Sequence, residues 1–214
     1  MKVIEPDFDR MVDLPGLGPT PRPVDVDQAA TGFSDLRSLR IYDFAADAVV
    51  EGEAEEDEVL VVLLGGAATL AVSGLHEAEF TLQAEGDWAV YLPPRHGYRL
   101  SPIAQATIAY ARARPSTAFA PRAFAPTRGL LTVEEHAERL RLRLLPLEGE
   151  TDASAGLDAG LERLAHLTGP ARVSGGGSGR ELPPAHTLVL APGEAAHVEG
   201  EGELLVVAAL RPPA

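Results

Sequence analysis

The chain has no cysteine among its 214 residues. That excludes disulfides, thiolate metal sites and thiol nucleophiles together, and it fits a reducing compartment, so a cytoplasmic location is expected. Basic residues are also scarce: 18 Lys and Arg against 32 Asp and Glu give a formal net charge of −14. Such a surface repels a phosphate backbone and an anionic lipid headgroup alike, so neither nucleic acid nor membrane is an expected partner. Long apolar runs are missing as well. The longest, Val59 to Val72, is too short to span a bilayer and carries Gly65 and Gly66. The opening MKVIEPDFDR lacks the basic stretch and apolar core of a signal peptide, so none is expected there.

What is present is punctuation. The 18 prolines and 21 glycines break the chain into short segments, which suits many strands joined by turns. Residues 1–35 are rich in proline and acid and show little periodicity, so they read as an irregular, extended N-terminal arm lying on the body or on a neighbouring subunit, or equally as a plain flexible tail. From Leu39 the alternation Leu39-Arg40-Ile41-Tyr42-Asp43-Phe44 marks a half-buried strand. Glu58 to Leu64 reads as a buried strand, and strands follow at Ala67 to Val72, Glu79 to Leu82, Trp88 to Leu92 and Ala106 to Ala113. One helix is expected, over Thr132 to Arg143, with Thr132 as N-cap, Glu135 completing a capping box, and Val133, Ala137 and Leu140 at helical spacing.

The second half repeats the first in order. LLGGAATLAVSG (63–74) matches HLTGPARVSGG (166–176), and AVYLPPRHGYRL (89–100) matches TLVLAPGEAAHV (187–198). ATIAYARARP (106–115) matches ELLVVAALRPP (203–213), and Leu39-Arg40-Ile41 matches Leu142-Arg143-Leu144. Two copies of one all-β unit are implied, and evenly spaced short strands indicate jelly-roll barrels. The expected organisation is an arm (1–35), an N-terminal barrel (36–115), a linker with the short helix (116–140) and a C-terminal barrel (141–214).

These residues resemble the cupin superfamily. Glu58 stands where the glutamate of the first cupin motif would be, Gly65-Gly66 where its closing glycine would be, and Gly86 to Pro94 resembles the opening of the second motif. The stretch from Phe44 to Thr127 is similar, more narrowly, to the 5-deoxy-glucuronate isomerase family of inositol catabolism. Glu58-Val59-Leu60-Val61-Val62-Leu63-Leu64-Gly65-Gly66, Tyr91-Leu92-Pro93-Pro94 and Pro121-Arg122-Ala123-Phe124-Ala125-Pro126 carry that likeness. The resemblance implies a bicupin fold and, for the family, a metal-dependent sugar isomerase whose metal sits in the C-terminal barrel on a histidine-rich segment. The corresponding region here, 147–167, offers only His166.

A cupin metal site uses strand alternation to point two ligands, one residue apart, into the barrel, with a carboxylate and a third histidine from neighbouring strands. Here the paired positions are Glu51 and Glu53, the carboxylate is Glu58, the third-histidine position falls on Tyr98, and His96 lies in the turn before it. Such a carboxylate set would prefer Mn or another divalent metal. Against that, Glu51 to Glu58 holds six acids in eight residues, the composition of a solvated lead-in. The expectation is therefore a site without metal or cofactor. Arg40, Tyr42 and Tyr98 are the residue types that line a sugar-acid pocket, where aromatic faces stack and a guanidinium clamps a carboxylate. Trp88 is assigned to the core. The functional expectation is a metal-free or degenerate bicupin that binds a small carbohydrate-like molecule or is vestigial; if it is an enzyme, an isomerase acting on a sugar or sugar acid is expected. The alternatives are a metal-dependent isomerase using Glu51, Glu53, Glu58 and His96, and a structural protein, with a homodimer as the expected assembly.

Overall fold

The computed structural model describes residues 1–124, 137–154, 157–175 and 178–211. The arm holds β1 (Lys2–Ile4), β2 (Met11–Leu14), β3 (Gly18–Pro21), β4 (Val24–Asp27) and the single-turn helix α1 (Gln28–Thr31). Next come β5 (Leu36–Phe44), β6 (Val50–Glu53), β7 (Glu58–Gly65), β8 (Ala67–Ser73), β9 (Ala78–Gln83), β10 (Ala89–Leu92), β11 (Gly97–Pro102), β12 (Ala106–Ala113) and β13 (Arg122–Phe124). The second half contributes β14 (Leu140–Pro146), β15 (Thr151–Asp152), β16 (Glu162–Leu167), β17 (Ala171–Gly175), β18 (Ser178–Leu182), β19 (Thr187–Leu190), β20 (His197–Gly200) and β21 (Glu203–Ala209).

The first half forms a six-stranded sheet, β13-β10-β7-β12-β5-β4, and a four-stranded sheet, β6-β11-β8-β9. The second half forms β1-β19-β16-β21-β14 and β15-β20-β17-β18. Apart from β4, which has no counterpart in the second half, the strand orders correspond, so each repeat read from the sequence falls on equivalent strands: β7–β8 with β16–β17, β10–β11 with β19–β20, β12 with β21, and β5 with β14. The fold is all-β, two tandem cupin-like jelly rolls.

The two larger sheets pack against each other. In β21, Leu205, Val207 and Ala209 join the first half's core, while Leu204, Val206 and Ala208 fill the second barrel. Both faces of this strand are covered, which is why ELLVVAA reads as an unbroken apolar run rather than an alternating one. The same holds for β7, where Val59 and Val61 face inward and Leu60 and Val62 face the seam between the barrels.

Two carboxylates stitch that seam in a reciprocal way. Glu58, at the start of β7, accepts backbone hydrogen bonds from Glu138 (3.0 Å), Arg139 (2.7 Å) and Leu140, which begin β14 of the other barrel. Glu162, at the equivalent start of β16, accepts from Ser34 (2.7 Å), Asp35 (2.7 Å) and Leu36 (2.9 Å), which begin β5. Arg139 links the two clamps through its ion pair with Asp35 at 2.6 Å.

Two expectations are corrected. The arm is extended, but it is not irregular: β1 completes the second barrel's sheet beside β19, β4 extends the first barrel's sheet beside β5, and β2 and β3 form a hairpin. The helix expected over Thr132 to Arg143 lies partly outside the described residues. Its last part, Leu140 to Arg143, is strand β14, because Leu140, Leu142 and Leu144 alternate and pair with β21. Among the described residues the one helix is α1, capped by Asp27. No helix among them is long and apolar enough to cross a membrane.

Candidate functional site

Strand β6 decides what the first motif can hold. Its pairing with β11 sets Tyr98 opposite Gly52 and Arg99 opposite Glu51. Val50 and Gly52 therefore face the interior, while Glu51 and Glu53 stand exposed on the outer face. There they flank Arg99 in an open groove of about 490 Å³ that Ala71 and Ser73 also line. Tyr98 points inward, and its hydroxyl occupies the space a side chain at position 52 would take: a Cβ there would lie 2.5 Å from it. The point at which a ligand pair would meet is filled by an aromatic ring.

The other expected ligands are also committed elsewhere. Glu58 faces the seam, with its carboxylate saturated by three amides. Burial pushes its pKa up, although those amides oppose the shift. His96 is buried, and its Nδ1–H donates to the Pro94 carbonyl at 2.9 Å, leaving Nε2 to accept from the His76 amide at 3.2 Å. Neither ring nitrogen is left for a metal. Glu51, Glu53, Glu58 and His96 do not converge, and this donor set does not fit the metal that the cupin fold implies. Among the described residues no three His, Asp or Glu side chains form a metal-binding group.

The barrel interior instead gathers phenols and guanidiniums. Alternation along β5 and β12 points Arg40, Tyr42 and Phe44 inward from one strand and Ile108, Tyr110 and Arg112 from the next, with Tyr110 opposite Arg40. Tyr110 packs edge-on against Tyr42 at 5.6 Å between centroids and tilted against Tyr98 at 5.9 Å. Tyr42 stacks on Phe44 and accepts a hydrogen bond from Arg22 at 3.2 Å. Burial pushes the hydroxyls of Tyr98 and Tyr110 up from the ordinary phenol value, so both stay protonated as hydrogen-bonding groups at neutral pH. The buried Tyr110 hydroxyl and Trp88 indole N–H have no hydrogen-bond partner of good geometry among the described residues.

Arg40 and Arg112 also line a polar pocket of about 280 Å³ with Arg37, Asp57 and Glu55, and α1 stands at its rim. Asp25 holds Arg40 at 3.2 Å and Arg22 at 2.7 Å. Buried Asp57 holds Arg37 at 2.7 Å and lies 3.8 Å from Arg112. Arg112 is further steered by donating to the Glu53 carbonyl at 2.7 Å. The structure thus brings Arg40, Tyr42 and Tyr98 together. Tyr110 and Arg112 complete the group; sequence reading passed over them, although the alternation in ATIAYARARP places both on one face.

A model of the KduI/IolB family matches residues 22–134, just over half of the chain. The chain belongs to the KduI/IolB family. The matched region contains the whole first barrel and every residue of the group above. No curated protein matches this family member in sequence. Among solved structures it is similar to YlbA from E. coli, with 11% identity over 99% of this chain and 91% of that one at a TM-score of 0.76. It is also similar to an IolB-like protein from Salmonella typhimurium, with 12% identity, coverage of 90% and 89% and a TM-score of 0.69. The bacterial pirin YhhW from Escherichia coli, solved in complex with nickel(II), matches with 13% identity over 100% of both chains at a TM-score of 0.68. At these identities the likeness is one of fold.

Proposed function

We propose that the first barrel is a metal-free binding site for a small, carbohydrate-like acid, derived from a sugar-acid isomerase scaffold. The observation that carries this reading is Tyr98 lying over Gly52, which puts a neutral phenol where a cupin would hold its metal. Three tyrosines offer ring faces and hydroxyls to a polyol, and Arg40 and Arg112 offer guanidinium groups to its carboxylate. The carboxylates beside the group, Asp25, Glu55 and Asp57, are each ion-paired with an arginine, so the group is assigned to binding rather than to moving a proton between carbons. The family membership supports the ligand class.

The test combines metal analysis of protein purified without chelators with calorimetric titration of hexuronates such as glucuronate. The expected result is no stoichiometric transition metal, and hexuronate binding that Arg112→Ala and Tyr110→Phe weaken by about tenfold or more, as for loss of a charged or buried hydrogen bond. A stoichiometric metal, or titrations with no hexuronate binding at millimolar concentration, would overturn it.

A further inference from the structure

The second barrel holds a different group, and the site just described does not use it. Alternation along β14 and β16 points Arg143 and Arg163 into this barrel, both crossing β21, where Arg143 pairs with Val206 and Arg163 with Ala208. Arg163 is 0% exposed and Arg143 9%. The Nε and Nη1 of Arg163 and the Nε of Arg143 are buried and have no hydrogen-bond partner among the described residues. Arg163 uses only Nη2, which donates to the Glu194 carbonyl. Neither arginine has an ion pair within 4 Å among the described residues.

A guanidinium keeps its charge in any protein, and burying it without a hydrogen-bonded anion is among the more expensive arrangements a fold can hold. Two such groups in one barrel call for a shared anion. Their Cα atoms lie roughly 12 Å apart, given about 4.8 Å between strands and 3.4 Å per residue, so two extended arginine side chains can meet one small ligand. The side chains around them are short: Ala153, Ala165, Ala196 and Ala208 are buried members of this core. The lining also selects. Those alanines, with Val206 and Leu145, favour a carbon skeleton. Asp152, Asp158 and Glu194 lie near enough to Arg163 to act on its charge, so a dianion is repelled more than a monoanion.

We infer that the second barrel binds the carboxylate of a small organic monoacid between Arg143 and Arg163. The Glu194 loop forms one wall. The Glu194 side chain is held by the Met1 ammonium group and by the Ala191 amide at 2.8 Å, so the chain's first residue fixes the loop whose carbonyl orients Arg163.

The experiment uses the full chain and three probes, pyruvate, butyrate and inorganic phosphate, at constant ionic strength. In the wild type the arginine Nε–Hε signals are followed by ¹⁵N–¹H NMR, and Arg143→Lys and Arg163→Lys assign the two buried resonances. Saturable shifts of both with pyruvate or butyrate, together with a melting temperature raised by the acid in the wild type and in Arg112→Ala, are expected. The Lys variants should lose at least tenfold in affinity. Unmoved wild-type resonances, phosphate as the only ligand that moves them, or full affinity in both Lys variants would each overturn the inference. Because Arg112 lies in the first barrel, Arg112→Ala separates this site from the hexuronate site, and each can fail alone.

Discussion

A Cβ at position 52 would lie 2.5 Å from the Tyr98 hydroxyl and 2.6 Å from the ring carbon that bears it, so the two residues act as one unit. Gly52→Ala is expected to destabilise the protein by about 1–3 kcal/mol, the usual range for overpacking a core. Combining it with Tyr98→Val should recover at least ~1 kcal/mol relative to the sum of the single changes, measured as a double-mutant cycle in urea. An additive result would mean the ring is not held over the glycine. At this scale the sequence was partly legible. Arg40, Tyr42 and Tyr98 do lie in one cluster, because side-chain direction in a paired strand follows directly from spacing. The same rule put Glu51 and Glu53 on one face, as observed, but that face is the outer one. Motif spacing fits them, but which face of β6 turns inward depends on its register with β11, and Glu-Gly-Glu carries no apolar marker to show it.

At the scale of elements, the clamp formed by Glu58 is a start signal for β14 supplied from the other barrel. Its Oε1 serves Arg139 and Leu140 and its Oε2 serves Glu138. Glu58→Gln keeps one oxygen and turns an amide N–H₂ toward the remaining donor, so a loss of about 1–2 kcal/mol is expected. Glu58→Ala orphans all three amides and should cost more, about 2–4 kcal/mol by the same reasoning. Chemical denaturation monitored at Trp88, the single tryptophan, reads both, and an Ala variant no weaker than the Gln variant would contradict the clamp. Sequence reading treated Glu58 as a fold marker with a possible ligand role, since its three partners lie about 80 residues away. The helix expectation failed for a related reason: pairing with β21 decides Leu140 to Arg143, and local spacing has no access to a partner that far along the chain.

Across the whole molecule, the repeat made the architecture readable, because equivalent strands carry equivalent turns even where identity is low. The arm was not readable: three- and four-residue strands are too short for periodicity to register. The seam between the barrels also buries a titratable group. His166 is buried beside a cavity of about 240 Å³ shared by both halves and the arm, and it bonds the Thr187 hydroxyl at 3.0 Å. Burial first, and the nearby His186 second, hold it down to a pKa of about 3. A histidine depressed in the folded state stabilises fully above its unfolded value near 6.5. That contribution is lost as pH falls toward 3, at no more than roughly 1.4 kcal/mol per unit. His166→Gln should therefore flatten the dependence of the urea midpoint on pH between 7 and 4 relative to wild type. Parallel profiles would show that His166 is not the group responsible.

The reciprocal clamps also bear on the order in which the protein can be made. As the chain leaves the ribosome, the segment that opens β5 emerges long before Glu162, the residue that holds it, and β1 emerges before β19, the strand it must join. The start of β5 and strand β1 are thus seated only after most of the second barrel has followed them. The first barrel is built through β12 before Glu162 exists to cap β5, and the Met1 amino group meets Glu194 only after β19 has emerged.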